Sequence, residues 1–492
     1  MRHRRTASLL FTLLCVGGFM IACAESGDPG TGIDMTDAPG ADTPVQTNAA
    51  DDDSYVFGET FGGTQFRILN TEDIYSMHAK IDPEEQNGET LNDAQFLTCR
   101  TLEEKLELTL TETNIHLDEI QAHINKILTA GDDVYDIIYM PTQYLNQNIT
   151  LGALYNLLDF QEFTFDREWW MQSYNEAITM NGVLFAAEGY SHLMAIDSLN
   201  IMYCNEDMMA NRGLEKPYSL VRNGAWTLDA LHTYLKAAAS MNSDTTFDWT
   251  SGGTALYGIS LADAYQGIPF MLFGADERLL EMQKGVLTLT AGDARYFEVV
   301  SKLASILTKA NGNTYYGICN ADDGDDGHWI YAFEHERAMF MVTELCKTGR
   351  MRDKDYTYGI LPLPKFDEAQ EKYYTTTFNR NPLITIPVTA PDTHLAAAAA
   401  DALTYLSYEM MYPVFRETTL EQKGLRNEES IEMLDLILQN SVPDFSAVYS
   451  IGINYNEQVR LEVQSGSDAV ASILEKHRLE MEKAIEVINE QE

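Results

Sequence analysis

Apolar positions along residues 60–145 recur with two different periods, which predicts strands and helices in alternation. Short runs rich in Ile, Leu and Tyr have the length of strands, and the segments between them carry apolar residues at helical spacing. We predict strand, helix, strand, helix and strand, in chain order, over 65–69, 90–104, 108–113, 117–129 and 135–140. Such an alternation is typical of a doubly wound parallel α/β sheet.

Two loops of this predicted sheet are candidate parts of a binding site. In doubly wound sheets, ligands sit beyond the carboxyl ends of the strands. The rule points to 70–75 after the first strand and to 141–145 after the third. The polar and aromatic candidates there are Asp73, Tyr75, Gln143 and Tyr144.

The stretch from Asp197 to Ala239 predicts a strand, a short helix, a loop and a second helix. Residues 199–204 form an apolar run of strand length, and Asn205 is a suitable N-cap for the helix that follows. Gly213 supplies a left-handed residue at the end of that helix. Thr227 is the expected N-cap of the second helix.

The same stretch resembles the cross-over segment of extracellular solute-binding proteins, the capture subunits of ABC importers. In sugar-type members, a strand that ends in a "YN-D" element is followed by a "GL-P" turn, a Trp and a capped helix. The matching positions here are Tyr203, Asn205, Asp207, Gly213-Leu214, Pro217 and Trp226-Thr227.

A second segment carries the most specific resemblance. The patterns "FE-GRA-F" and "YGILP-PK-DEAQ-KY" look like solute-binding proteins of fibre-degrading gut lineages, and the likeness extends over most of 60–450. The matching positions are Phe333-Glu334, Arg337-Ala338, Phe340, Tyr358 to Lys365 and Asp367 to Tyr373. Related binders often carry an aromatic after the "MF" strand, whereas this chain has Thr343-Glu344. The departure weakens any stacking role at that position.

The resemblance implies a periplasmic-binding-protein-like type II fold, with two α/β lobes joined by a hinge that the chain crosses several times, near Asp197, Thr376 and Asn440. It implies a first lobe built from 57–196 and 376–440, and a second built from 197–375 and the C-terminal helices of 441–492.

The N-terminus has the pattern of a bacterial lipoprotein signal over residues 1–22. Three arginines precede an apolar run that is shorter than the roughly 18–20 residues a membrane-spanning helix needs. Met20-Ile21-Ala22-Cys23 resembles a lipobox, which implies that Cys23 receives lipid, including palmitate, and becomes the mature N-terminus. An uncleaved membrane anchor is the alternative.

Residues 23–56 are expected to form the lipidated end and a disordered tether. The segment is rich in Gly, Pro, Asp, Thr and Ala and has almost no large apolar residue, so it lacks the surface needed to form a core. As a coil of this length it would reach roughly 30 Å, which lifts a globular body clear of lipid head groups.

Charge and cysteine content exclude several classes of function. The chain has 33 basic and 75 acidic side chains, a formal net charge of −42. A surface of this sign repels nucleic acid and anionic membranes. The cysteines of the body lack metal-site spacing, and we expect no structural disulfide among Cys99, Cys204, Cys319 and Cys346.

Motifs of catalysis give no positive indication. No P-loop, GxGxxG, HExxH or GxSxG occurs in a suitable context. The acidic run 322–327 lacks the ligand pattern of an EF-hand, so a solvated turn is the better interpretation. Acidic pairs abound, and because a glycosidase needs only two carboxylates, sequence alone leaves that class open.

Two aromatic and turn motifs near 170–182 have structural explanations. Trp169-Trp170 is interpreted as a packing pair between elements rather than a ligand platform. Asn181-Gly182 is a strong signal for a β-hairpin turn.

Together these observations predict a lipid-anchored solute-binding protein on the extracytoplasmic face of the cell membrane. It would capture a mono- or oligosaccharide and deliver it to ABC permease subunits, without catalysing a reaction. Besides the loop candidates above, the expected ligand contacts are Asp197, Trp329, Asn379 and Arg380, with core packing as the alternative for each aromatic. We expect a monomer that contacts the membrane through its lipid only and uses no cofactor, metal or nucleic acid. The alternative function is a surface-anchored glycan-active enzyme or a non-transporting glycan adhesin.

Overall fold

The computed structural model describes residues 55–72, 80–263, 267–318, 329–351, 354–418 and 428–490. The strands are β1 (Thr64–Glu72), β2 (Leu108–His116), β3 (Ile137–Pro141), β4 (Asn200–Asn205), β5 (Tyr257–Asp263), β6 (Leu280–Gln283), β7 (Val286–Leu289), β8 (Thr314–Ile318), β9 (Ala338–Glu344), β10 (Tyr358–Leu361) and β11 (Pro382–Thr385).

The helices of the first half of the chain are α1 (Thr90–Leu106), α2 (Leu117–Ala130), α3 (Thr142–Thr150), α4 (Gln172–Ile178), α5 (Met194–Asp197), α6 (Glu206–Asn211), α7 (Tyr218–Arg222) and α8 (Leu228–Ala238). Those of the second half are α9 (Gly267–Gly274), α10 (Ala294–Ile306), α11 (Trp329–Glu334), α12 (Thr348–Met351), α13 (Thr393–Leu406), α14 (Tyr412–Arg416), α15 (Glu428–Gln439), α16 (Phe445–Tyr449), α17 (Ile453–Ser465) and α18 (Val470–Asn489). Single 3₁₀ turns occupy Leu157–Asp159 and Leu345–Lys347, and a π-helical turn (Ser407–Met411) joins α13 to α14.

The first sheet has the order β11-β3-β1-β2 and is the core of the first lobe. β1 pairs in parallel with both β2 and β3, while β11 pairs antiparallel with β3. The predicted alternation of strands and helices is therefore confirmed, and all five elements occur in the expected order. The N-cap of α1 is Glu89, whose carboxylate accepts from the amide of Asn92.

Trp169 and Trp170 connect the segment 164–170 to α13 of the first lobe. The indole nitrogen of Trp170 donates to Asp401 Oδ1 on α13 at 2.9 Å, and that of Trp169 donates to Thr164 Oγ1 at 3.0 Å. Thr164 also donates to Asp401 through its backbone and its hydroxyl. Both tryptophans are buried, so the packing interpretation is confirmed.

The N-terminal end of the described body is fixed to the same helix. The ring of Tyr55 stacks on that of Tyr405, with centroids 4.4 Å apart and planes 8° from parallel. Glu59 Oε1 lies 2.6 Å from Nε2 of His394 at the start of α13. The first described residues therefore pack against the first lobe.

The second sheet has the order β10-β4-β9-β5-β8 and is the core of the second lobe. β5 is parallel to β8 and β9, whereas β4 is antiparallel to β9 and β10. The predicted cap residues act as expected: Asn205 accepts from the amide of Met208, and Thr227 accepts from that of Ala230. Each side chain accepts a hydrogen bond from a backbone amide in the first turn of a helix, where no intrahelical acceptor is available.

Three segments of chain run side by side where the two lobes meet, and we call them the junction: 197–200, 375–378 and 440–442. Leu199 bridges antiparallel to Thr377, and Thr375 bridges in parallel to Ser441. The amide of Asn200 donates to the carbonyl of Thr376 at 3.0 Å. The three segments thus form a small hydrogen-bonded ribbon between the sheets.

The placement of α15 differs from the predicted return to the first lobe, which extended to residue 440. This helix packs against β10 of the second sheet. Ser430 Oγ accepts from the amide of Ile360 at 3.2 Å, and Glu432 pairs with Arg222 at 2.6 Å. The described elements of the return that pack with the first lobe end with α14. The remaining predicted domain limits stay predictions.

Among the described residues, no helix has both the length and the apolar content needed to cross a membrane.

Candidate functional site

The carboxyl-terminal edge of the first sheet gathers several polar residues. β1 and β3 end at this edge, and the antiparallel β11 begins there, with Pro382 opposite Pro141. The amide of Gln143 donates to the carbonyl of Asn379 at 2.9 Å. The structure therefore brings together two of the predicted contact residues that are far apart in sequence, and both side chains are half-buried.

The loop before β11 is tied to the start of α3. Both the amide and the hydroxyl of Thr142 donate to the carbonyl of Asn381, at 2.9 and 2.7 Å. These bonds satisfy donors at the N-terminus of a helix, where intrahelical partners are lacking. They hold the Gln143 and Asn379 positions in a fixed register.

Asp197 ends the short helix α5 and lies three residues before Asn200, the first residue of β4. Its side chain is 2 % exposed, so the carboxylate is buried at the boundary of the lobes. On the second sheet, Asn200 lies opposite Glu344 at the end of β9. Burial raises the pKa of the nearby Cys346 thiol, and the carboxylates of Glu344 and Asp197 act in the same direction. Both carboxylates therefore lie near Cys346, at the end of β9.

A buried carboxyl that the sequence did not single out lies under the same edge. Glu188 is 1 % exposed, and its Oε1 accepts from Asn381 Nδ2 at 2.6 Å. Its other oxygen has no hydrogen-bond partner among the described residues. Burial raises the pKa of Glu188 to about 8, and the bond from Asn381 offsets only part of that rise. The group is therefore mainly an uncharged acid at neutral pH.

Glu188 is also fixed through its backbone. Asn175 on α4 accepts from the amide of Glu188 at 2.7 Å and donates to its carbonyl at 2.9 Å. The hydroxyl of Tyr174 faces Thr142 and Asn381, and burial raises its pKa. The network connects α4, the start of α3 and the loop before β11. No local sequence pattern signals it, because its members are far apart along the chain.

Buried polar atoms without a hydrogen-bond partner gather at the junction and at the neighbouring Asn379. Within the described part of the chain, no hydrogen bond reaches Ser198 Oγ, Asn200 Oδ1, Asn379 Oδ1 or Ser441 Oγ. Buried polar atoms are normally paired with protein, water or ligand. Hydroxyl and amide groups in such a position can bond to the hydroxyls of a polar ligand.

The predicted aromatic and cationic contacts have mixed surroundings. The hydroxyl of Tyr144 donates to the carbonyl of Leu117 at 3.3 Å, and its half-buried ring packs on the core of the first lobe. Trp329 is the first residue of α11 and is 5 % exposed, which suits the core-packing alternative. The guanidinium of Arg380 lies over the ring of Phe378, 5.2 Å from its centroid.

Some predicted features lie outside the described residues. These are the lipid site Cys23, the loop candidates Asp73 and Tyr75, the acidic run 322–327 and Cys319.

The short helix α16 also contributes to the boundary and was missed from sequence. It packs against α3 of the first lobe and approaches β6 of the second. The hydroxyl of Tyr449 lies 3.9 Å from Met180 Sδ in the first lobe. Asp444 caps the helix by accepting from the amide of Ser446, and burial raises the pKa of Asp444. A five-residue helix is too short for periodicity to indicate it.

The described residues contain no group of three or more His, Cys, Asp or Glu side chains placed to hold a metal ion. Two cavities of about 600 Å³ open on the flank of the second lobe, one beside Phe247 and Gln464 and the other beside Phe297 and Phe366. Neither is lined by a predicted contact residue.

No family profile matches the chain, and no curated protein does. Solved structures match it over most of its length at low identity. A cyclic alpha-maltosyl-1,6-maltose binding protein from Arthrobacter globiformis has 13 % identity and a TM-score of 0.59, and the match covers 87 % of this chain and 100 % of that one.

Two further solved structures match the chain over a similar length. An ABC substrate-binding protein from Listeria monocytogenes in complex with cycloalternan has 13 % identity and a TM-score of 0.53, covering 86 % of this chain and 99 % of that one. A sugar transporter from Rhizobium etli in an open conformation has 12 % identity and a TM-score of 0.57, covering 85 % and 99 %. The chain therefore has the fold of sugar-binding subunits of ABC importers, and the predicted fold class is confirmed.

Proposed function

We propose that this protein is an extracytoplasmic solute-binding lipoprotein that captures a small carbohydrate between its lobes and delivers it to an ABC permease. The observation that carries the proposal is the junction, where polar groups of both lobes meet within a fold whose solved examples hold oligosaccharides. No step of bond making or breaking is required for this role.

The chemistry of the junction suits a polyhydroxylated ligand. Amide oxygens, hydroxyls and a carboxylate together accept and donate hydrogen bonds to sugar hydroxyls. Gln143, Asp197, Asn379 and Arg380 are the proposed contacts, and Asp73 and Tyr75 are proposed from the sequence alone. Tyr144 and Trp329 are proposed contacts whose surroundings in the structure also suit packing.

The proposed anchor is a lipid on Cys23, followed by the tether proposed from the sequence. In this arrangement the protein works as a monomer beside its permease, and the second lobe closes on the ligand by hinge motion.

A thermal-shift screen with a sugar panel tests the proposal. A ligand that binds only the folded protein adds about 2.7 kcal/mol of stability at a concentration of 100 times Kd, which raises the melting temperature. Maltotetraose, cycloalternan and tagatose are suitable first probes, since the solved examples of this fold hold them.

Each stabilising sugar is then incubated with the protein and analysed by chromatography. An unchanged sugar supports capture without catalysis. Shortened products would instead favour the glycan-active enzyme, and binding by a strain that lacks any uptake of the sugar would favour the adhesin. If no carbohydrate in a broad panel shifts the melting temperature, the cargo is of another class.

A further inference from the structure

Two hairpin turns, one from each lobe, touch at their tips. In the first lobe, Met180 and Val183 pair across the turn Asn181-Gly182, whose φ angles are 48° and 81°. In the second lobe, β6 and β7 are joined by Lys284-Gly285, with φ angles of 55° and 82°. Positive φ at both central residues is the geometry of the tight turn that suits twisted hairpins. Both turns therefore have the same left-handed backbone conformation at their two central residues.

Each hairpin is fixed to the lobe that carries it. The amide of Leu184 donates to Asn156 Oδ1 at 2.9 Å, and Ala187 bridges to Ile384 of β11. In the second lobe, the amide of Leu287 donates to Asn489 Oδ1 on α18 at 2.8 Å. Movement of one lobe against the other therefore has to carry the hairpin tips along.

The tips approach closely, backbone to backbone. A methyl group added to Gly285 would lie 2.9 Å from the backbone nitrogen of Asn181 and 3.2 Å from its Cα. Carbon atoms do not come this near to backbone without displacement, so only glycine fits at this point of the second hairpin. By contrast, a methyl group added to Gly182 would meet no atom within 4 Å.

We propose that the tips of these two hairpins dock on each other and hold the lobes together in the ligand-free protein, so that opening has to separate them. The contact between Tyr449 and Met180 lies beside the first hairpin and adds a second point of attachment between α16 and the first lobe. This inference does not depend on which ligand the protein binds.

The two glycines provide a matched pair of variants. Gly182→Ala and Gly285→Ala place the same side chain at nearly the same backbone angle, 81° and 82°. Both therefore carry the same local strain. Only Gly285→Ala introduces a clash with the other lobe, and any difference between the variants reports the contact between the tips.

Hydrogen–deuterium exchange of the full-length protein, followed by mass spectrometry without ligand, measures the effect. In Gly285→Ala we expect exchange to rise several-fold in peptides that cover 178–184, although the substitution is in the other lobe. In Gly182→Ala we expect peptides that cover 283–288 to exchange as in the wild type. Unchanged exchange at 178–184 in Gly285→Ala would overturn the proposal. So would an equal rise of exchange in the hairpin of the opposite lobe in both variants. Because no ligand is added, this outcome is separate from the success or failure of the sugar screen.

Discussion

The backbone amide of Gln143 donates a hydrogen bond to the carbonyl of Asn379, with 2.9 Å between nitrogen and oxygen. Gln143 lies in the first turn of α3, just after β3, and Asn379 precedes β11, so the bond joins the end of a parallel strand to the beginning of an antiparallel one. It makes a single continuous edge from two loops of the first lobe, and this edge leads to the junction.

Asp197→Asn is expected to weaken binding of any sugar that stabilises the wild type by about tenfold to a hundredfold. Loss of a charged acceptor costs on the order of 1.5–3 kcal/mol. Isothermal titration calorimetry gives the affinity. Asp229→Asn, the same change on the flank of the second lobe, is the control and is expected to bind normally. Unaltered affinity of Asp197→Asn would remove this carboxylate from the site.

Trp329→Ala is expected to lower the free energy of unfolding by about 3–5 kcal/mol, the usual cost of truncating a large buried aromatic. The reason is that the side chain is 5 % exposed at the start of α11, which packs on β5, β8 and β9. Urea denaturation measures the change. A variant that unfolds like the wild type but binds the sugar poorly would instead support the ligand contact proposed from sequence.

Glu188 should make the protein less stable as pH rises from about 4.5 to about 8. Its pKa in the folded protein is about 8, above the ordinary value of 4.5, so the folded state holds a proton that the unfolded state releases within this window. At about 1.4 kcal/mol per pKa unit, the effect reaches several kcal/mol. Burial of the group keeps solvent screening low.

Glu188→Gln is the matched control, because an amide has nearly the shape of the protonated acid and does not ionise. Urea denaturation at pH 5, 6.5 and 8 should show a steeper loss of stability in the wild type than in this variant. Glu277, whose pKa burial raises to about 7, contributes equally to both proteins and cancels in the comparison. Parallel pH profiles would contradict the assignment.

Cys23→Ala is expected to abolish lipid attachment. Without the thiol that receives lipid, the protein should remain unprocessed or leave the membrane fraction. Mass spectrometry of the N-terminal peptide and cell fractionation measure both effects. Wild-type protein that stays in the culture medium with no lipid mass on its N-terminus would refute the anchor.

Local rules predicted much of the fold. The caps at Asn205 and Thr227, the turn at Asn181-Gly182 and the strands of the first sheet follow from residues that are neighbours in sequence. The helix α1 begins at residue 90 as predicted, and its N-cap is Glu89, a less common cap whose carboxylate reaches the amide of Asn92.

The candidate site was predicted only in part. The rule on strand ends pointed to Gln143, and the resemblance pointed to Asn379, but neither indicated that the two residues would be hydrogen-bonded. Glu188 and α16 were missed because their contacts are made across long sequence distances. The burial of Trp329 depends on the sheet beneath it, which a single segment of sequence does not describe.

The ribbon of three segments at the junction has a mechanical consequence. A single strand between two lobes would permit rotation about any axis. Hydrogen-bonded strands that lie side by side bend easily only out of the plane of the ribbon that they form. The bonds from Asn200 to Thr376 and from Val442 to Thr375 oppose sliding and torsion. The two lobes should therefore move relative to each other along a single arc. Each closure then brings the same groups of the two lobes together in the same order.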